Sequence, residues 1–102
     1  MRTRVVIGAP VKAFMNSLAP EPRRKLRRAL KELGDGKGDL RQLEGKLAPF
    51  WKLRVQMIRV IFDQKPVAGE RVLLCFFADY RGTVSAILEQ LLASGLLEQL
   101  RD

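Results

Sequence analysis

The sequence KLAPFWKLRVQMIRVIF, residues 46–62, contains the pattern that decides the fold. From Trp51 to Val55 apolar and basic residues alternate, which is the period of two expected of a strand with one buried and one exposed face. A second β-rich run, Ile58 to Phe62, follows after only two residues, so the pair predicts a hairpin. Gln56-Met57 lacks the glycine or asparagine that two-residue turns favour, which leaves the register of the hairpin open.

Basic residues occupy the exposed positions of this hairpin. Lys52 and Arg54 share one face of the first strand, and Arg59 joins them if the turn resets the register. Three cations on a rigid sheet surface would form an anion site. The alternation is also typical of an ordinary solvated strand face, and Arg59 could instead pair with Asp63 or Asp79.

The patterns on either side of the hairpin predict one α+β domain over residues 1–102. The element order is β-α-α-β-β-β-α: a small antiparallel-dominated sheet, two N-terminal helices on one face, and a C-terminal helix. We expect the helices to share one face and the hairpin cations to lie on the other. The predicted elements outside the hairpin are strands at Arg2–Ile7 and Glu70–Ala78, helices at Val11–Leu18, Glu21–Leu33 and Val84–Ala93, a turn at Gln64–Gly69 and a last short helix at 95–100.

The composition favours a folded protein with a polyanionic partner. Hydrophobic residues make up 47% of the 102 residues, and the net charge is +8. Because residues 83–102 hold three acids and one arginine, the first 82 residues carry net +10. Such a charge favours nucleic acid first, then an acidic protein segment or a membrane surface.

Several function classes are disfavoured by what the sequence lacks. There is no histidine, which removes the usual general acid or base and any histidine-based metal site. The single cysteine, Cys75, lies in an apolar run and is expected to be a buried, inert side chain. No run reaches the roughly 18 apolar residues of a membrane span, and no signal peptide is evident. We therefore expect a cytoplasmic protein that binds no membrane, no metal ion and no small-molecule cofactor.

The helix predicted at Glu21–Leu33 is strongly basic. Its apolar side is formed by Leu26, Ala29, Leu30 and Leu33, and its remaining surface by Arg23, Arg24, Lys25, Arg27, Arg28 and Lys31. Three interpretations stay open: a solvated surface, contacts to RNA phosphates, or a grip on an acidic protein segment.

Two segments resemble the RelE/ParE superfamily of bacterial type II toxins, and the resemblance covers nearly the whole chain. The first is LEGKLAPFWKLRVQMIRVIF, residues 43–62, similar to the family's basic–apolar hairpin that ends in Arg-Val-Ile-aromatic. The second is VLLCFFADYRGTV, residues 72–84, which looks like the family's central strand followed by a basic residue and the final helix.

In the RelE branch, this resemblance implies a ribosome-dependent endoribonuclease that cuts mRNA without metal, with the 2′-hydroxyl as nucleophile. The catalytic residues carried over by position are Lys52, Arg54, Arg59 and Arg81. The nucleic-acid contacts would be Lys46, Tyr80, Arg23, Arg24, Arg27 and Arg28. A lysine such as Lys52 or Lys46 could serve as the base, because arginine keeps its proton. The implied partners are the ribosome, mRNA and a cognate antitoxin protein.

One departure from the family pattern keeps other functions open. Many RelE-type enzymes have a tyrosine or histidine in the last helix, where this chain has an apolar residue around Ile87. Tyr80, beside Arg81, could substitute for it. The ParE branch shares the fold, lacks the nuclease residues and is linked to inhibition of DNA gyrase. A third possibility is a basic RNA-binding regulatory domain without catalysis.

Overall fold

The computed structural model describes residues 2–94, and the helix predicted at 95–100 lies outside this range. Five strands and three helices follow one another along the described chain. They are β1 (Thr3–Ile7), α1 (Ala9–Ser17), α2 (Pro20–Leu33), β2 (Asp39–Gln42), β3 (Phe50–Val55), β4 (Ile58–Val67), β5 (Glu70–Tyr80) and α3 (Arg81–Ser94). A short 3-10 helix at Gly45–Leu47 precedes β3. No helix within the described residues is long and apolar enough to cross a membrane.

The strands form one sheet in the order β1-β5-β4-β3-β2. β1 runs parallel to β5, and the other neighbouring strands are antiparallel. The predicted α+β class with an antiparallel-dominated sheet is therefore confirmed, with one strand more than expected. The additional strand is β2, whose sequence DLRQ has no run of apolar residues to indicate it.

The turn predicted at Gln64–Gly69 is much shorter in the structure. β4 continues to Val67, and β5 begins at Glu70. Only Ala68 and Gly69 connect them, with φ angles of 51° and 79°. Positive φ at both central residues is the geometry that matches the twist of paired strands, so a long hairpin replaces the expected loop.

The two N-terminal helices cover one face of the sheet, as predicted. The apolar side of α2 packs there on residues that alternate along β3, β4 and β5. The buried members of this cluster are Val11, Leu18, Leu26, Leu30, Leu33, Leu53, Ile58, Val60, Phe62, Leu73, Cys75 and Ala78. Cys75 is fully buried, which agrees with its expected role as a small core residue.

The third helix lies on the opposite face, which corrects the expectation that the helices share one face. Val84 and Leu88 of α3 pack with Phe50 and Ile61 in a second buried cluster. Phe50 lies two residues before Lys52, and Ile61 is directly opposite Lys52, so all three belong to the same face of the sheet. The hairpin cations therefore share their face with α3.

Candidate functional site

The site is built on the β3–β4 hairpin, and the length of its turn fixes the register of the two strands. Val55 pairs with Ile58, so Gln56 and Met57 form a two-residue turn, with Gln56 at a φ of 55°. A non-glycine residue with positive φ is unfavourable. Hydrogen bonds compensate at this turn: Arg59 Nη1 donates to Gln56 O at 2.7 Å and to Ile58 O at 3.0 Å. The Arg81 amide donates to Met57 O at 2.9 Å.

This register collects basic residues on one face of the sheet. Arg54 lies directly opposite Arg59, as predicted for a turn that resets the register. Arg41 of β2 lies opposite Lys52 and adds a fourth cation. Arg41 is not predicted from the sequence, because nothing in its surroundings indicates a strand.

An open cleft of about 520 Å³ lies between this face and α3. The hairpin contributes Lys52 and Arg59, and α3 contributes Arg81, Ser85 and Glu89. These three α3 residues are spaced by four, so they form one stripe along the helix. The remaining lining residues are Leu43, Leu47, Gly82, Val84 and Leu88. Three of the four predicted catalytic residues therefore meet in one cleft.

Arg59 carries the most unusual charge of the cleft. Its exposed fraction is only 8%, and it makes no ion pair within 4.0 Å to any of residues 2–94. Neither alternative partner reaches it within that distance: Asp63 pairs with Lys65 at 3.8 Å, and Asp79, directly opposite Arg59 on β5, accepts the Tyr80 amide at 2.7 Å. Burial, together with the charges of Arg54 and Arg81, lowers the pKa of Arg59, although Asp39 opposes this.

Arg54 and Lys46 do not line the cleft. Arg54 lies at its margin, where its Nε is 3.6 Å from Oδ2 of Asp39. That carboxylate is also 3.9 Å from Arg41. Lys46 is exposed on the 3-10 helix, which contributes Leu47 to the cleft instead. The surplus charge of the site is therefore concentrated on the cleft-lining cations.

Tyr80 lies on the other face of the sheet. It is opposite Ile58, a member of the cluster under α1 and α2. Its ring packs edge-to-face on Phe14 at a centroid distance of 5.4 Å, with 51% of the residue exposed. Ile87 does not line the cleft either. Tyr80 therefore does not take the place of an aromatic residue on the cleft wall of α3.

Ser85 and Glu89 are two further cleft residues that are not predicted from the sequence. The signal was present, because both follow Arg81 at helical spacing. It becomes meaningful only once α3 is known to cover the cationic face. Among the described residues, no group of three His, Cys, Asp or Glu side chains is arranged to hold a metal ion.

The basic residues of α2 divide into engaged and free ones. Arg23 donates to Met15 O at 3.2 Å, Asn16 O at 3.1 Å and Leu18 O at 2.7 Å, so it caps the end of α1. Lys25 pairs with Glu21 at 3.5 Å. The exposed α2 cations without an ion pair to residues 2–94 are Arg24, Arg27, Arg28 and Lys31. They lie on the opposite side of the sheet from the cleft.

No known family profile and no curated protein matches this sequence. Solved structures are similar to it. The RelBE2 toxin–antitoxin complex of Mycobacterium tuberculosis matches with a TM-score of 0.61 and 15% identity, covering 79% of this chain and 93% of that one. The YoeB/ParE toxin of Agrobacterium tumefaciens matches with a TM-score of 0.61 and 15% identity, covering 76% and 98%.

A third similar structure is the RelB–RelE antitoxin–toxin complex of Methanococcus jannaschii, with a TM-score of 0.59 and 9% identity, covering 80% of this chain and 96% of that one. The fold implied by the sequence resemblance is thereby confirmed: this chain has the RelE/ParE fold.

Proposed function

We propose that this chain is the toxin of a type II toxin–antitoxin system and that its cleft cuts ribosome-bound mRNA. The observation that carries the proposal is Arg59, a largely buried residue with no ion pair to any of residues 2–94, in an open cleft that it shares with Lys52 and Arg81. A buried cation without a counter-ion is costly, and an anion entering the cleft would relieve that cost. A phosphodiester supplies such an anion.

The cleft residues suit phosphodiester cleavage by the neighbouring 2′-hydroxyl. Negative charge on the phosphate increases in the transition state, and fixed donors that face it can contribute roughly 3–4 kcal/mol each. Arg59 is well fixed, because two backbone carbonyls already hold its Nη1. Arg81 begins α3, is tied to the hairpin through its amide and lines the same cleft, so its side chain would contact the same phosphate.

Lys52 is the lining cation best suited to proton transfer, because arginine stays charged at neutral pH. In this mechanism the uncharged amine of Lys52 takes the proton from the 2′-hydroxyl, and the 2′-oxygen attacks the phosphorus while Arg59 and Arg81 hold the phosphate. The O2′–P bond forms and the P–O5′ bond breaks, which gives a 2′,3′-cyclic phosphate and a 5′-hydroxyl that takes its proton from water. Lys46 is a weaker candidate for the base, because it does not line the cleft. Arg54 acts on the site through the charge it places beside Arg59.

The net charge and the similar structures support two kinds of partner, RNA and an antitoxin protein. A net charge of +8 favours both RNA and an acidic protein segment. Two of the similar structures are toxin–antitoxin complexes, which supports an antitoxin as a partner of this chain. The free cations of α2 are available for ribosomal RNA while mRNA occupies the cleft.

The test is expression of the chain in bacteria without an antitoxin, with cuts mapped by primer extension. One reporter mRNA is translated, and a matched reporter lacks its start codon. We expect discrete cuts only in the translated message. Arg81→Ala should reduce cleavage by about 100-fold, the typical loss for one transition-state donor.

Arg71→Ala is the matched control, because it removes an exposed arginine of β5 that is distant from the cleft lining. It should cleave like the wild type. Growth arrest with intact mRNA, or full cleavage by a folded Arg81→Ala variant, would refute the nuclease.

Inhibition of DNA gyrase is the second candidate, and one observation favours it. The α3 wall of the cleft presents Arg81, Ser85 and Glu89 but no aromatic residue or histidine. A supercoiling assay with purified gyrase separates the two functions. Inhibition that survives Lys52→Ala and Arg81→Ala would support the gyrase inhibitor, whereas RNA binding without growth arrest would indicate a regulatory RNA-binding domain.

A further inference from the structure

The cleft has two chemically different ends. Arg81 lies at the hairpin turn, because its amide is bonded to Met57 O. Glu89 follows eight residues later, which is about 12 Å along the helix axis. Leu43 lies at the other end of β3 from the turn, since its amide donates to Phe50 O at 3.0 Å. The cleft therefore runs from an arginine end near the turn to a far end near Leu43 and Glu89.

The far end has an apolar wall and one acceptor. Leu43, Leu47 and Leu88 line it together with the carboxylate of Glu89. Glu89 makes no ion pair within 4.0 Å to any of residues 2–94, although three cations line the same cleft. A carboxylate repels phosphate and only accepts hydrogen bonds. This end consequently suits a flat group with apolar faces and hydrogen-bond donors at its edge.

We infer that the far end is a nucleobase subsite that selects guanine through Glu89. The inference rests on the proposed function, because it takes RNA as the ligand of the cleft. Guanine presents two adjacent donors, N1–H and the N2 amino group, on its Watson–Crick edge. A carboxylate accepts both at once, while the three leucines contact the faces of the ring. Adenine offers one donor beside an acceptor, which would oppose one of the carboxylate oxygens.

The experiment measures the binding of short RNAs that cannot be cleaved, because every ribose carries a 2′-O-methyl group. Each is an oligouridine with guanine, inosine or adenine at one position, and that position is moved along the strand. We expect guanine to bind about tenfold more tightly than adenine at one position, the typical value of a bidentate contact. Inosine, which lacks the N2 amino group, should fall between them.

Glu89→Gln should remove this preference, because the amide replaces one acceptor with a donor. It should bind oligouridine at least as well as the wild type, because a negative charge has left the cleft. Glu32→Gln is the matched control: it makes the same change on exposed α2, outside the cleft, and should keep the guanine preference.

The outcomes separate this subsite from the function on which it rests. RNA binding without any base preference, or a preference that survives Glu89→Gln, overturns the subsite alone. If Glu89→Gln keeps the guanine preference in binding but loses the acidic limb of the pH–rate profile for cleavage, Glu89 acts as a proton carrier. That result also overturns the subsite. No RNA binding by the wild type overturns the cleft as an RNA site and the subsite with it.

Discussion

At the scale of single residues, Arg59 links the fold to the proposed function. Its Nη1 stabilises the unfavourable turn by donating to Gln56 O and Ile58 O. Its guanidinium makes no ion pair within 4.0 Å to any of residues 2–94. The same side chain therefore fixes the hairpin and leaves an anion requirement unfilled in the cleft.

We predict that inorganic phosphate stabilises the wild-type protein through Arg59. A ligand at ten times its dissociation constant adds about 1.4 kcal/mol to the free energy of unfolding. For a domain of this size that raises the melting temperature by about 5–10 °C. Arg59→Met should lose this phosphate-dependent shift, whatever its melting temperature without phosphate. Thermal denaturation in a phosphate titration at constant ionic strength measures it.

Arg71→Met is the control for general salt effects, because phosphate also strengthens apolar burial without binding. Arg71 is exposed on β5, so its variant should shift like the wild type. An equal shift in all three proteins would show that Arg59 binds no phosphate.

Cys75 predicts how stability depends on pH. Burial raises the pKa of this thiol from 9.0 to about 12. The unfolded chain therefore loses the thiol proton near pH 9, while the folded protein keeps it until about pH 12. The contribution of this thiol to the free energy of unfolding is fully present below pH 9. Between pH 9 and about pH 12 it is lost, and the free energy of unfolding falls by about 1.4 kcal/mol per pH unit.

We expect Cys75→Ala to have a flatter stability curve than the wild type between about pH 9 and pH 12. Urea unfolding at several pH values measures both curves, and their difference removes the contribution of lysine and tyrosine titration. Parallel curves would show that the thiol ionises equally in both states.

At the scale of elements, the arginines of α2 have two different structural roles. Arg23 caps α1 through three backbone carbonyls, and a cation at a helix C-terminus is also favoured by the helix dipole. Arg24 and Arg28, one turn apart, are like charges at a spacing that destabilises an isolated helix. The first arrangement increases stability, and the second lowers it unless an anion binds.

We predict that two neighbouring substitutions on α2 affect different properties, one the stability and the other RNA binding. Arg23→Met should lower the free energy of unfolding by about 1–2 kcal/mol, because three carbonyls lose a charged donor. Arg24→Met should leave stability within about 0.5 kcal/mol and weaken RNA binding instead. Urea unfolding and an RNA-binding titration on both variants test this. A stable Arg23→Met variant with lost RNA affinity would make Arg23 a contact residue.

At the scale of the whole molecule, the sheet separates two basic surfaces. The cleft lies on the side of α3, and the free cations of α2 lie on the other side. One RNA strand in the cleft would not contact α2, whereas a folded RNA around the protein could contact both. The two surfaces should then contribute to binding independently.

We predict additive effects of the two surfaces on the binding of a folded RNA. Replacing Arg24, Arg27 and Arg28 by Gln should reduce the salt slope of log K by about 2–3. Arg81→Gln should reduce it further, and the combined loss of binding free energy should be the sum within about 0.5 kcal/mol. RNA-binding affinities measured at several salt concentrations give both the salt slopes and the binding free energies.

Replacing Lys12, Lys37 and Arg71 by Gln is the charge-matched control, because these residues are exposed and lie outside the α2 surface and the cleft. If this control reduces the salt slope as much as the α2 variant does, α2 is an ordinary solvated surface.

The sequence by itself determined the class of the fold and most of the core. Local periodicity indicated the β3–β4 hairpin, the apolar side of α2 and the strand that contains Cys75, because each is a property of a few consecutive residues. It also indicated that Lys52 and Arg54 share one face, with Arg59 beside them if the turn resets the register, and that Arg81 is the basic residue after the central strand. The roles carried over for these residues remain predictions.

Only the tertiary structure decided how these parts meet. Pairing with β3 makes a strand, β2, of a polar segment, and the Arg81 amide ties the hairpin turn to the start of α3. The tertiary structure placed α3 over the cationic face, which brought Glu89 into the cleft and left Tyr80 on the other side. Such choices depend on contacts between residues distant in sequence, and local periodicity carries no information about which face a helix will cover.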